Sequence, residues 1–172
     1  MKVRDMSQDP PVQMSFDVPR DARYFEDYVP GSCFQFGGVE VHENEIIEFA
    51  AQFDPQPIHI DRGAAESGPF RGIIASGWHT IGLMMRLFVE HYLTTIASMA
   101  SPGVDEVRWS VPVRPGDQLQ VRITITEARP SRTKADRGLV HSFVEAVNQR
   151  DEVVASFKAM NIIGKRPSAS RQ

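Results

Sequence analysis

The stretch that most restricts the fold runs from Trp78 to Leu93. Trp78, Ile81, Leu83, Met84, Met85, Leu87, Phe88 and Leu93 fall at helical spacing and cover far more than one stripe of a helix. A helix that is apolar over most of its circumference is enclosed by other elements, not packed along one side. Arg86 and Glu90, four positions apart, mark where it reaches water. The rest of the chain therefore has to supply a wrapper.

The C-terminal half has the pattern of one. Val107, Trp109, Val111 and Val113 recur at period two, and Leu119, Val121, Ile123 and Ile125 alternate strictly with polar residues. Such alternation marks half-buried antiparallel strands. Val140–Val147 continues the series, and Asn148-Gln149-Arg150-Asp151 turns it into Val153, Ala155, Phe157 and Ala159. An earlier strand spans 32–41, where Gly37-Gly38 allows a bend or bulge between Phe36 and Val39. Between them, Ile46, Ile47, Phe49, Ala50 and Phe53 fall at helical spacing after a first turn rich in acids. Helices followed by a run of strands indicate an α+β domain, with an antiparallel sheet curved around the central apolar helix.

At 172 residues the chain is long enough for one well-packed domain and short for two. Residues 1–23, with three prolines after Asp9 and no periodicity, read as a mobile N-terminal arm; residues 24–164 form the domain, and 165–172 a polar, frayed tail. A net charge of −3 without any basic block leaves no footprint for nucleic acid. No apolar run is long enough to span a bilayer, and the polar N-terminus does not resemble a signal peptide, so the expected location is the cytoplasm, away from membranes. A single cysteine, Cys33, and the lack of a Cys/His cluster argue against a disulfide or a metal site.

The chemistry concentrates at Asp54-Pro-Gln-Pro-Ile-His59. Pro55 pushes Asp54 out of the α region and stops the arriving helix. The two prolines predict a stiff, extended segment, neither mid-helix nor central strand, that projects a carboxylate and an imidazole. Rigid placement of two titratable groups suits acid–base work on a water or a substrate. The same residues also fit helix ends and a structural histidine. Asp61 reads as the N-cap of a short helical turn that Ser67-Gly68-Pro69 ends.

In Phe49–Asp61, Gly72–Thr80, Pro112–Asp117 and the 131–138 segment, taken in this order, the sequence resembles the MaoC-like, hotdog-fold dehydratases, the (R)-specific enoyl-CoA hydratases. The family form of the first motif is Gly-Asp-x-Asn-Pro-(aliphatic)-His; here Phe53 stands for the glycine and Gln56 for the asparagine. The resemblance implies a single hotdog fold, a thioester of coenzyme A as substrate, no separate cofactor, and a homodimer or dimer-based oligomer. It implies that Asp54 and His59 activate one water for addition to C3 of a trans-2-enoyl thioester, and that the N–H of Gly77 receives the charge developing on the carbonyl. Alone, Gly77 would read as a tight turn before the helix.

Weaker candidates surround these. Gln56 keeps an amide near the pair. Ser76 either lines the pocket or caps the helix, and Trp78 and His79 adjoin Gly77 but, at the start of a buried helix, read as core or interface before substrate contacts. Arg132, Lys134 and Arg137 would meet coenzyme A phosphates or form a solvated loop. Two other functions stay open: thioester hydrolysis, for which Glu90 is the only carboxylate well inside the long helix, and a non-catalytic acyl-CoA-binding module.

Overall fold

The computed structural model describes residues 12–13 and 15–167. Strands β1 (Val12–Gln13), β2 (Cys33–Glu40), β3 (Ser98–Trp109), β4 (Gln118–Pro130), β5 (Arg137–Val147) and β6 (Val153–Gly164) form one sheet in the order β1-β2-β4-β5-β6-β3. All pairs are antiparallel except the short β1–β2 pair. Helices α1 (Glu43–Phe53), α2 (Pro57–Ile60), α3 (Arg62–Ser67) and α4 (Gly77–Leu87) lie between β2 and β3 in sequence.

The alternation in β4 does what period two predicts. Leu119, Val121, Ile123 and Ile125 face inward and are fully buried against α4 residues Leu83, Met84 and Leu87, while Arg122 and Thr124 lie on the outer face. The expected bulge in β2 shifts the register between Phe36 and Val39. Gly37 has φ +88, and a β-carbon there would lie 2.7 Å from Leu87 Cδ2, so glycine serves both the turn of the backbone and the close approach of α4. The sheet wrapped around one helix is the hotdog arrangement that the resemblance implies.

Four expectations need correction. The apolar helix is not enclosed on every side, because Trp78, Met85 and Val89 form an exposed line along it. It also ends earlier as an α-helix, passing into a π-helical turn at Phe88–Tyr92. Strand β3 begins at Ser98, well ahead of Val107, and ends at Trp109, before Val111 and Val113; as an edge strand it tolerates Pro102 and Gly103, and register shifts at three points absorb them. The extended segment at Asp54–His59 is in part helical, with Pro57 in the first turn of α2. Proline at a helix start loses no hydrogen bond, so the residue that argued against a helix in fact begins one.

A further correction concerns both ends. Residues 1–11 and 168–172 lie outside the described residues, but from Phe16 onward the arm is seated on the domain. Phe16 stacks on Phe34 with ring centroids 3.9 Å apart and meets Tyr28 and Tyr92 edge-on. The Arg23 guanidinium lies 3.6 Å over the Phe16 ring, is only 3% exposed, and donates to Val18 O and, at 2.7 Å, to Tyr92 O. At the other end, Arg166 bonds Asp27 at 2.8 Å and Lys165 N donates to Asp136 O, so the tail is held at least to Arg166.

Candidate active site

Helix α1 stops where Pro55 requires. Asp54 is its C-cap, at φ −153, with its N–H on Ala50 O. The carboxylate then receives two donors, Gln56 Nε2 on Oδ1 at 2.7 Å and Ser76 Oγ on Oδ2 at 2.7 Å. Hydrogen bonds first from Gln56 and then from Ser76 hold the Asp54 carboxyl below the usual carboxylate range. Ser76 is completely buried and also caps α4 by accepting from Trp78 N. Gln56 and Ser76, two of the candidate substrate contacts, therefore both hold Asp54; Gln56 additionally lines the cleft.

His59 sits in the single turn of α2, 5% exposed. Its Nδ1 lies 2.8 Å from Ile74 O, and a carbonyl can only accept, so Nδ1 carries the proton. In the neutral ring Nε2 then has a free lone pair, and it lies 3.4 Å from Asp54 Oδ2. Ile74 is itself fixed, its N–H on Ile58 O and the next N–H, of Ala75, on Val113 O. A lone pair and a carboxylate oxygen thus face one position from two sides, where a water could give a proton to each.

Gly77 opens α4 immediately after its Ser76 cap. The first N–H groups of a helix lack intrahelical partners, and the dipole adds positive character there. Gly77 lines the same cleft of about 520 Å³ as Asp54 and His59. A β-carbon at position 77 would overlap the Trp109 indole, whose Nε1 donates to Gly77 O at 2.9 Å. Glycine is required here by the close approach of Trp109, a contact across the fold that local sequence does not reveal. Trp78 is 58% exposed at the rim and meets Trp109 edge-on at 5.5 Å.

Arg132 and Lys134 are not brought to this cleft. They occupy the exposed loop between β4 and β5, and neither they nor any residue of β4 lines the cleft. A larger depression, about 1020 Å³, lies on the outer face of the sheet, but its cations are engaged: Arg122 pairs with Glu145 at 3.0 Å and Lys158 with Glu106 at 2.6 Å. The smaller cleft is the one that joins the Asp54/His59 pair to the start of α4, so it is the candidate site. Among the described residues, no group of three or more His, Cys, Asp or Glu is placed to hold a metal ion. No helix among them is long and apolar enough to cross a membrane.

His79 turns away from the cleft. It is buried, stacks on Phe49 at 5.1 Å, and its Nδ1 has no hydrogen-bond partner among the described residues. Burial pushes its pKa down. The unfolded chain therefore takes up this proton first as pH falls, so the His79 contribution is present above about pH 6.5 and is lost below it. We expect His79→Phe to flatten the dependence of the urea midpoint on pH between about 7 and 5. An unchanged slope would mean that His79 titrates as a solvated histidine.

The MaoC like domain family matches residues 27–146. A crystal structure of a MaoC-like dehydratase from Rhodospirillum rubrum is 37% identical, with a TM-score of 0.79 over 86% of this chain and 100% of that one. The uncharacterised protein YdeM of Bacillus subtilis (strain 168) is 28% identical over 126 residues, 73% of this chain and 88% of its own. A 3-hydroxybutyryl-CoA dehydratase of Methylorubrum extorquens is 28% identical over 151 residues, 85% of this chain and 87% of its own. With its cleft, its Asp54/His59 pair and a family match over more than half its length, the chain belongs to the MaoC-like domain family.

Proposed function

We propose that the protein is a hydro-lyase that adds water to a trans-2-enoyl-CoA thioester to give an (R)-3-hydroxyacyl-CoA, or runs the reverse dehydration, with no resident cofactor. The observation that carries this is the His59 tautomer, which aims a free Nε2 lone pair at the position that Asp54 Oδ2 also faces, 3.4 Å away. A water there donates to both. Because two donors already occupy the Asp54 carboxylate, it is the weaker base, and His59 is assigned the proton.

The electrons then move in one sense. As His59 Nε2 removes a proton from water, the water oxygen bonds to C3 and the C2–C3 π pair moves toward the thioester carbonyl. The Gly77 N–H stabilises the resulting enolate oxygen, helped by the start of α4. The proton on His59 then goes to C2, leaving hydroxyl on C3, hydrogen on C2 and the pair as it began. Asp54 orients the water and stabilises the transient imidazolium. Glu90 does not suggest hydrolysis, since it lies beyond α4 and is paired with Arg86 at 3.0 Å.

Incubation with crotonyl-CoA, following enoyl absorbance and free thiol together, tests the reading. Loss of absorbance without thiol supports it; thiol release identifies a thioesterase, and inactivity with several chain lengths leaves a binding module. Gly77→Ala should lower kcat about 10²-fold, the effect of a displaced oxyanion donor, and should change Trp109 fluorescence as the indole is pushed aside. A normal kcat would remove Gly77 from the mechanism.

A second copy of the chain fits the exposed edge. Among the described residues, strand β3 leaves one edge of its backbone unpaired and exposes Met99, Val104 and Trp109, a combination that invites pairing with another strand. The homodimer proposed on this basis should appear in light scattering as twice the chain mass; a monomer would exclude it.

A further inference from the structure

Three cations without carboxylate partners adjoin the cleft. Among the described residues, Arg71, Arg108 and Arg114 take part in no ion pair, and neither do Arg20, Arg23, Arg132, Lys134 and Lys165 elsewhere on the domain. Each adjoins a residue that lines the cleft, namely Phe70, Trp109 and Val113. Two of them converge on one turn. Arg114 Nη2 donates to Phe70 O, and its Nη1 lies beside Gly72.

The turn is unusual. Arg71 has φ 55 and Gly72 φ 137, so a long side chain is kept in a left-handed conformation that its β-carbon disfavours. Gly72 N on Ala65 O at 3.0 Å and Arg71 N on Gly68 O at 3.3 Å hold it there. Strain of this kind persists where the surroundings impose it, and it gathers at ligand clamps. The acid next to Arg114 in the chain fold, Asp117, is engaged elsewhere: its oxygens accept from Arg114 N at 2.8 Å and Gln149 Nε2 at 2.9 Å. Glu66, exposed on α3, joins no ion pair among the described residues.

The separation from the reacting position is informative. Residues 73–76 run beside 111–113, joined by Ala75 N on Val113 O, with Gly77 and Trp109 at one end and Arg71 and Arg114 at the other. Six residues from Arg71 to Gly77 span at most roughly 20 Å. An extended pantetheine arm covers a comparable length.

We infer that Arg71 and Arg114 form a clamp for the 4′-phosphate that begins the pantetheine arm of the thioester. Guanidinium groups suit phosphate because their forked donors match its oxygens. The clamp rests on the proposed thioester reading, and it replaces the remote Arg132/Lys134 loop as the phosphate contact within one chain. The same phosphopantetheine occurs in coenzyme A and on acyl-carrier proteins.

The test compares crotonyl thioesters of pantetheine, 4′-phosphopantetheine, coenzyme A and a carrier protein on the wild type and on the variant carrying both Arg71→Gln and Arg114→Gln. Glutamine retains a donor for Phe70 O. The wild type should prefer 4′-phosphopantetheine over pantetheine by about tenfold or more in kcat/KM, and the double variant should lose that ratio through KM. The relative rates with coenzyme A and the carrier protein identify the natural source of the phosphate. A ratio that survives in the double variant, or that Arg108→Gln abolishes instead, overturns the clamp. If no thioester is hydrated, the functional reading fails separately, and calorimetry with coenzyme A still decides: about tenfold weaker binding by the double variant supports the clamp, and equal or undetectable binding by both proteins rejects it.

Discussion

Asp54→Asn is expected to reduce kcat for enoyl-thioester hydration by about 10³-fold while leaving the protein folded. The substituted amide is nearly isosteric, so packing around α1 is kept. It cannot, however, accept from both Gln56 Nε2 and Ser76 Oγ and face the imidazole as an anion. One of its two sides must present an NH₂ to a donor. His59→Ala removes the base itself and should cost a similar factor. Because both residues act on one water, the double variant should be little slower than the worse single one. Steady-state kinetics with circular dichroism on the same samples checks this. Near-normal turnover in either single variant, or losses that multiply in the double, would separate the pair and defeat the mechanism.

The largest effect on stability is expected at Arg23, far from the cleft. Arg23→Leu takes both guanidinium donors from Val18 O and leaves the buried Tyr92 O with the Tyr28 hydroxyl alone. One carbonyl without its donors and one lost charge-assisted bond cost about 2–4 kcal/mol together, which lowers Tm by roughly 4–15 °C in a domain of this size. The Phe16 ring also loses the cation that lies over it. Urea unfolding should show the loss as a lower midpoint at constant slope. A change below about 0.5 kcal/mol, the scale of ordinary surface substitutions, would show that residues 15–23 are only draped on the domain.

The Arg23 contact also shows where sequence reasoning stops. Period two in Leu119–Ile125 and period 3.6 in Ile46–Phe53 are local patterns, and the structure follows both. Asp61 as the α3 cap, accepting from Ala64 N at 3.0 Å, was likewise legible from neighbouring residues. The Phe16–Phe34 stack and the Arg23–Tyr92 bond join distant positions, and nothing periodic in 15–23 announces them. At the site, the family resemblance named Asp54, His59 and Gly77, and all three line one cleft. Ser76 was noted, but its hydrogen bond to Asp54 spans 22 positions and depends on how α1 and α4 meet. Of the two alternatives for Arg132 and Lys134, the structure shows the solvated loop, and charge alone says nothing of which end of a hairpin carries it.

The bond between His59 and Ile74 has a consequence for how such a site can diversify. The chemical state of the imidazole is set by a main-chain carbonyl, which no substitution at position 74 removes. The Ile74 side chain, meanwhile, lines the cleft. One residue thus carries two separable functions, an invariant one in its backbone and a replaceable one in its side chain. Variants at position 74 can widen or narrow the space offered to an acyl group while the base keeps its tautomer, so selectivity can drift without passing through inactive intermediates.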